Sequence, residues 1–175
     1  DANDRLTDAS QTDVDLRIRV GRGHWPGFKA ELILEQRVAP VCTPAMAERL
    51  KQPADILDLP KIIDSRAMFT WLSAVGLSGA EIKARHSFSE ASLCLDAAIA
   101  GQGVMLAWQT LASHQLQHGQ LVAPFGPAVK TGFGHYFVVP ENAKRSDKVE
   151  KFKRWLKHEL EEDMERLAKA APVFT

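Results

Sequence analysis

Residues 13–44, "DVDLRIRVGRGHWPGFKAELILEQRVAPVCTP", place two apolar runs of strand character on either side of a knot of glycines that holds a histidine and a tryptophan. In the first run Val14, Leu16, Ile18 and Val20 alternate with Asp15, Arg17 and Arg19, the period of a strand buried on one face. Beyond the knot, "LIL" and "RVAPVC" read as a further pair of strands. The spacing of Gly21, Gly23 and Gly27 resembles a phosphate cradle only loosely. "HWPG" follows Gly23, and Pro26 interrupts any helix that should start there, so the dinucleotide fingerprint fails. Two readings remain. The knot is a loop at a strand end that offers free amides, the imidazole of His24 and the ring of Trp25 to a small molecule, or it is a turn in which Trp25 serves as a packing anchor.

Outward from this stretch, strands and helices alternate. Thr43 and Pro44 supply an N-cap hydroxyl and a proline at the first helical position, and Pro53 repeats the signal before "ADILDL". "KIID" reads as a strand, "MFTWLSAVG" as a helix closed by Gly76, and "ARHSF" as another strand. Ser89 is the expected N-cap of a helix with Leu93, Leu95, Ala97, Ala98 and Ile99 as its apolar content and Gly101 as its stop. "GVMLA" follows as a buried strand, "QTLASHQLQHGQL" as a helix ended by Gly119, and "GHYFVVP" as a strand. The last helix opens at Ser146 or Asp147, with Glu150 placed as in a capping box, and carries Val149, Phe152, Trp155, Leu156 and Leu160 as its expected core stripe. Trp155→Ala is therefore expected to cost about 3–5 kcal/mol as a buried aromatic. After Glu159 the apolar content thins, and the helix is expected to outlast the surface it packs on. The alternation argues for a mostly parallel α/β sheet.

Composition narrows the function classes. A chain of 175 residues, 45% hydrophobic and 25% charged, is ordinary globular material for one domain or two small lobes. Lys and Arg balance Asp and Glu at 22 each, so no overall basic field draws the chain to nucleic acid or an anionic membrane. Cys42 and Cys94 form no CxxC pair, which fits a reducing, cytoplasmic setting rather than a disulfide framework or a zinc knuckle. No apolar run approaches the roughly 20 residues of a membrane span, and no signal-peptide layout opens the chain. The chain begins at Asp1 without a methionine and reads as a piece of something longer.

Several groups carry possible chemistry. His114 and His118, four apart on a helix, can hold a metal or simply face solvent among their flanking glutamines. Cys42 is a nucleophile only if a base stands by it, and is otherwise a small apolar filler. Asp13 and Asp15 point the same way from a strand, as solvated carboxylates commonly do. Nothing matches GxSxG, HExxH or a P-loop. The turn "SFSEAS" at residues 87–92 ends a strand and begins a helix whose free N–H groups, with Ser89 and Ser92, can receive a carboxylate; the plain alternative is capping by Ser89. In open α/β sheets ligands sit outside the carboxyl ends of strands, where "VGRGHW", "DSR" and "FSEAS" would converge.

Taken in order, "DVDLRIRVGRGHWPG", "VAPVCTPAM" with "PADILDL", "FSEASLCLDAAIAGQGVMLAW", "GQLVAPFGP" and "YFVVP" ahead of "FKRWL" resemble the effector-binding domain of LysR-type transcriptional regulators, within it the glycine-cleavage-activator branch. The likeness runs over roughly residues 4–160. It implies two Rossmann-like subdomains joined by crossover strands, similar to type 2 periplasmic binding proteins, with an effector in the cleft. Residues 1–42 and 140–175 would form subdomain I, lacking its N-terminal part, and residues 43–139 subdomain II. The last helix would belong to subdomain I. The glycine loop then contributes Gly21, Arg22, His24 and Trp25 to effector binding. Facing it would be Ser65 and Arg66 of "DSR", Ser89, Glu90 and Ser92 of "FSEAS", and His135 from the returning strand. Family members carry an N-terminal helix-turn-helix, a linker helix and a first strand and helix ahead of the point where this chain begins. Ala91 stands where relatives often place a hydroxyl residue. The resemblance implies a regulator without catalysis or cofactor that senses an amino acid or small carboxylate, glycine-like first. It would touch DNA only through the segment outside this chain and assemble as a homodimer or homotetramer. Two other readings stand beside it: a solute-binding protein of a transporter, with the same fold, and a small metal-dependent or cysteine enzyme.

Overall fold

The computed structural model describes residues 14–63, 67–81, 84–88, 90–144 and 146–175. Six strands, β1 Arg17–Gly21, β2 Phe28–Val41, β3 Lys61–Ile63, β4 Ala84–Ser87, β5 Val104–Trp108 and β6 Val129–Pro140, form one sheet in the order β1-β6-β2-β5-β3-β4. The helices are α1 Pro44–Ala47, α2 Ala67–Ala74, α3 Ala91–Ile99, α4 Gln109–Gln117 and α5 Asp147–Ala170, with 3₁₀ helices at Pro53–Asp58 and Pro172–Phe174.

The sheet is mixed rather than mostly parallel. β3 runs parallel to β4 and β5, whereas β1 with β6, β6 with β2, and β2 with β5 are antiparallel. The two longest strands cause the difference. "LIL" and "RVAPV" belong to a single 14-residue strand, and Cys42 just beyond it bridges to Val122. The strand stays continuous through irregularities between Leu32 and Leu34 and between Glu35 and Arg37, where an extra residue is absorbed as local bend and twist. β2 pairs with β6 from Phe28 to Val38 and with β5 from Val38 to Val41, so one strand links two sections of the sheet.

Alternation along β2 and β5 places the core on both sides of that junction. Ala39, Val41, Met105 and Ala107 face Cys94, Ala98, Ala112, Leu116 and Leu167 on one side. Val38, Cys42, Val104 and Leu106 face Ile56, Met68, Trp71 and Leu72 on the other. A strand covered on both faces reads as a continuous apolar run, which is why "VMLAW" shows no alternation.

The margins depart from expectation. β1 has the expected period, but Ile18 and Val20 remain about half exposed, as does Val14 just before the strand. In α5 the inward position is taken by Lys153, whose ammonium lies over the Phe137 ring and pairs with Glu31. Trp155, two residues on, is turned about 200° around the helix and is 54% exposed. Phe152 is exposed with it, so Trp155 is not the buried aromatic its spacing suggested. Nor does the helix outlast its support: Leu167 is buried at its C-terminal end, and Asp163 accepts hydrogen bonds from Ser113 and Gln117 of α4. The N-cap of α3 is Glu90, one residue beyond the expected Ser89, which lies outside the described residues. At α5, Ser146 is the N-cap through backbone geometry, with the Glu150 amide donating to its carbonyl.

Candidate functional site

The glycine knot turns tightly because two aromatic rings lie against its backbone. Gly23 and Gly27 adopt φ of 87° and 78°, values an L side chain rarely adopts, and the Phe28 amide donates to the Trp25 carbonyl across the turn. Trp25 folds back over Gly21, where a Cβ would lie 2.6 Å from its Cζ2 atom. Its ring meets Tyr136 edge-on at 5.6 Å between centroids, and a Cβ on Gly23 would stand 2.9 Å from Tyr136. Trp25 is thus packed against the loop's own backbone and Tyr136. The same turn leaves Arg22 and His24 exposed. The Arg22 guanidinium sits 5.4 Å from the centroid of Phe133, whose ring is in turn 6.4 Å from Trp108 at the end of β5.

A second constellation lies where β2 loses register. Gln36 is fully buried at the Glu35/Arg37 irregularity, where the ladder leaves backbone groups to be satisfied by side chains. Its Nε2 donates to His135 Nδ1 at 2.8 Å, and its Oε1 accepts from the Thr110 hydroxyl at 3.2 Å. Thr131 donates to the Gln36 carbonyl and Gln109 to the Glu35 carbonyl. One amide thereby ties β2 to β6 and to the first turn of α4. Burial disfavours charge on His135 and holds its pKa below the ordinary histidine value, so the ring is neutral at physiological pH. Gln36, Thr110, Thr131 and Gln109 were missed by sequence reasoning. The available signal was a glutamine inside an apolar strand, which had to find buried partners.

The expected site residues divide between places. Val20, His135 and Leu34 are register partners on one face, and Arg19, Tyr136 and Leu32 on the other, because successive strand residues alternate. Trp25 therefore packs on the face away from His135. Glu90 and Ser92 stand exposed at the start of α3, which rests on β3 and β5, so β6, β2 and β5 separate them from the glycine loop in sheet order. Ser65, Arg66 and Ser89 lie outside the described residues. Cys42 is fully buried, and desolvation pushes its thiol up to about 11, which suits an apolar filler rather than a nucleophile. His114 and His118 stack on the exposed side of α4 with centroids 4.1 Å apart, and no group of three metal-ligating side chains occurs among the described residues. Asp15 pairs with Lys148, and Asp13 lies outside the described residues. No helix among the described residues is long and apolar enough to cross a membrane.

Residues 1–161 match the family described as the LysR substrate binding domain. The glycine cleavage system transcriptional activator of Escherichia coli strain K12 is 32% identical over 160 residues, covering 89% of this chain and 52% of that protein. The transcriptional activator AmpR of Enterobacter cloacae is 30% identical over 157 residues, covering 88% of this chain and 53% of that protein. The chain thus spans about half the length of the curated relatives it matches. Among solved structures, the effector domain of AmpR of Pseudomonas aeruginosa aligns with a TM-score of 0.69 at 27% identity, over 88% of this chain and 75% of that one. The AmpR effector-binding domain from Citrobacter freundii aligns with a TM-score of 0.70 at 26% identity, over 85% of this chain and 76% of that one. These relatives are transcriptional activators, neither enzymes nor transporter solute-binding proteins.

Proposed function

The chain belongs to the LysR substrate-binding-domain family, and from that premise we propose that it is the sensing part of a LysR-type transcriptional regulator. Its work is to bind a small metabolite and convert that binding into a change in how a DNA-binding segment outside this chain sits on its operator. The observation that carries the reading is the pair of long strands β2 and β6. They hold the glycine loop at one end and, through Gln36, the first turn of α4 at the other, so a ligand against them acts on both sections of the sheet.

We place the lobes at residues 1–42 with 140–175 and at residues 43–139. The effector contacts are Gly21, Arg22 and His24 of the glycine loop, with Trp25 packed beneath that loop, and His135 of the returning strand. Ser65, Arg66, Ser89, Glu90 and Ser92 supply the second lobe's side. Arg22 and His24 are exposed cation and imidazole groups, which supports an effector bearing a carboxylate, an amino acid or small carboxylate with glycine-like molecules first. The protein works in the cytoplasm as a homodimer or homotetramer and needs no cofactor.

Thermal melts against amino acids, small carboxylates, purines and divalent metals test this. Binding to the native state adds RT ln(1 + [L]/Kd), about 2.7 kcal/mol at a hundredfold excess over Kd. A selective rise with one carboxylate-bearing class, lost in Arg22→Ala with the unliganded melting temperature unchanged, is the expected result. A rise only with metals, abolished by His118→Ala, would overturn it.

A further inference from the structure

The Gln36–His135 contact specifies more than position. We infer that Gln36 fixes the neutral His135 ring as its Nε2–H tautomer, so the atom His135 offers a ligand is a hydrogen-bond donor that takes an acceptor such as a carboxylate oxygen. This rests on the reading above that His135 touches the effector.

The argument begins with the amide. An amide nitrogen donates and cannot accept, so Nε2 of Gln36, 2.8 Å from His135 Nδ1, requires that Nδ1 carry a lone pair. A neutral imidazole then holds its proton on Nε2. At its other end Oε1 accepts from the Thr110 hydroxyl, a group that can also accept, so the tautomer is set by the contact of Nε2 with Nδ1 itself. Gln36 is fully buried, so water does not take the place of either partner. A buried glutamine with both ends bonded fixes a tautomer in the same way that an outer-shell partner fixes a metal-bound histidine.

The other ring nitrogen is differently placed. His135 Nε2 has no protein hydrogen bond among the described residues, and the residue is only partly buried. The register partners of His135 are Val20, about half exposed, and Leu34. A single donor set among apolar side chains orients a ligand by one acceptor group and excludes a donor such as an ammonium at that point. Gln36 is thus a positioning residue: it decides which end of an amino acid or carboxylate His135 meets without itself touching the ligand.

Long-range ¹H–¹⁵N correlation spectra of the ¹⁵N-labelled 175-residue chain, taken at about pH 7.5, above the ordinary histidine range, read the tautomer directly. His135→Phe identifies the ring's signals. The expected pattern is Nδ1 resonating as an unprotonated nitrogen and Nε2 as a protonated one. In Gln36→Leu, which removes the donor to Nδ1, both nitrogens should move toward averaged values while the fold is kept. An Nδ1–H ring in the unaltered chain, or no change in Gln36→Leu, overturns the inference. Titration with glycine and with succinate then separates it from the functional reading. Displacement of the Nε2 signal by either, with Nδ1 still unprotonated, supports both. The expected tautomer with no displacement by any carboxylate in the panel leaves the role of Gln36 standing and overturns His135 as an effector contact.

Discussion

Trp71 and Trp155 both sit on helices that flank the same sheet, yet the first is fully buried and the second 54% exposed. Around Trp71 the sheet is covered on both sides, by α2 and the Pro53–Asp58 turn on one face and by α3, α4 and the end of α5 on the other. Around Trp155 the cover thins: Phe152, whose ring lies 5.7 Å from it, is exposed too, and Ile18 and Val20 of β1 are also about half exposed. An apolar side chain at helical spacing thus becomes core only where a second layer meets it; otherwise it forms a fringe.

The largest expected effect follows from that contrast. Trp71→Ala should cost about 3–5 kcal/mol in urea denaturation, the loss of a fully buried aromatic plus the cavity left behind. Trp155→Ala should cost less than about 0.5 kcal/mol, as surface substitutions do. Equal losses would erase the distinction between the two ends of the sheet.

Gln36→Leu comes next, at about 1–3 kcal/mol, because it leaves His135 Nδ1 and the Thr110 hydroxyl without the partner they have in the fold. A loss no larger than that of Trp155→Ala would mean that the junction of β2, β6 and α4 relaxes around the missing amide.

His135 supplies a pH test at the same place. Its folded pKa lies below the unfolded value near 6.5, so the folded state binds the proton less readily than the unfolded chain does. The stability this contributes is present in full above the unfolded pKa and is lost as pH falls through the folded one. Denaturation midpoints should therefore drop on acidification below about pH 6.5, and His135→Gln should flatten part of that slope. An unchanged slope would assign the acid sensitivity elsewhere.

The smallest effect belongs to the thin end. Glu31 pairs with Lys153 at 2.9 Å and Lys157 at 2.5 Å, and these contacts lower its pKa. The pairs are partly exposed, so Glu31→Gln should cost only about 0.5 kcal/mol, less at high salt. A larger, salt-independent loss would show that α5 depends on this ion pair to stay on the sheet.

How legible the site was differs by residue. Gly21, Gly23 and Gly27 announce a turn, but what Trp25 packs on depends on Tyr136, more than a hundred positions away. Gln36 gave only the hint of a polar residue in an apolar strand. Its partners, His135 and Thr110, come together solely because β2, β6 and α4 meet. The continuity of β2 was hidden because its irregularities shift the face on which apolar residues fall, which breaks the alternation into two apparent strands.

By itself the sequence determined the local elements and the family. Period, caps and glycine stops act over a few residues and are written where they act, and the ordered motifs from the glycine loop to "FKRWL" matched the LysR substrate-binding domain. Only the tertiary structure decided the direction of the strands, which tryptophan is buried, and which side chains meet His135. Each of these depends on what stands opposite a residue in space, and burial and hydrogen-bond partnership are properties of pairs brought together by the fold rather than of positions along a chain.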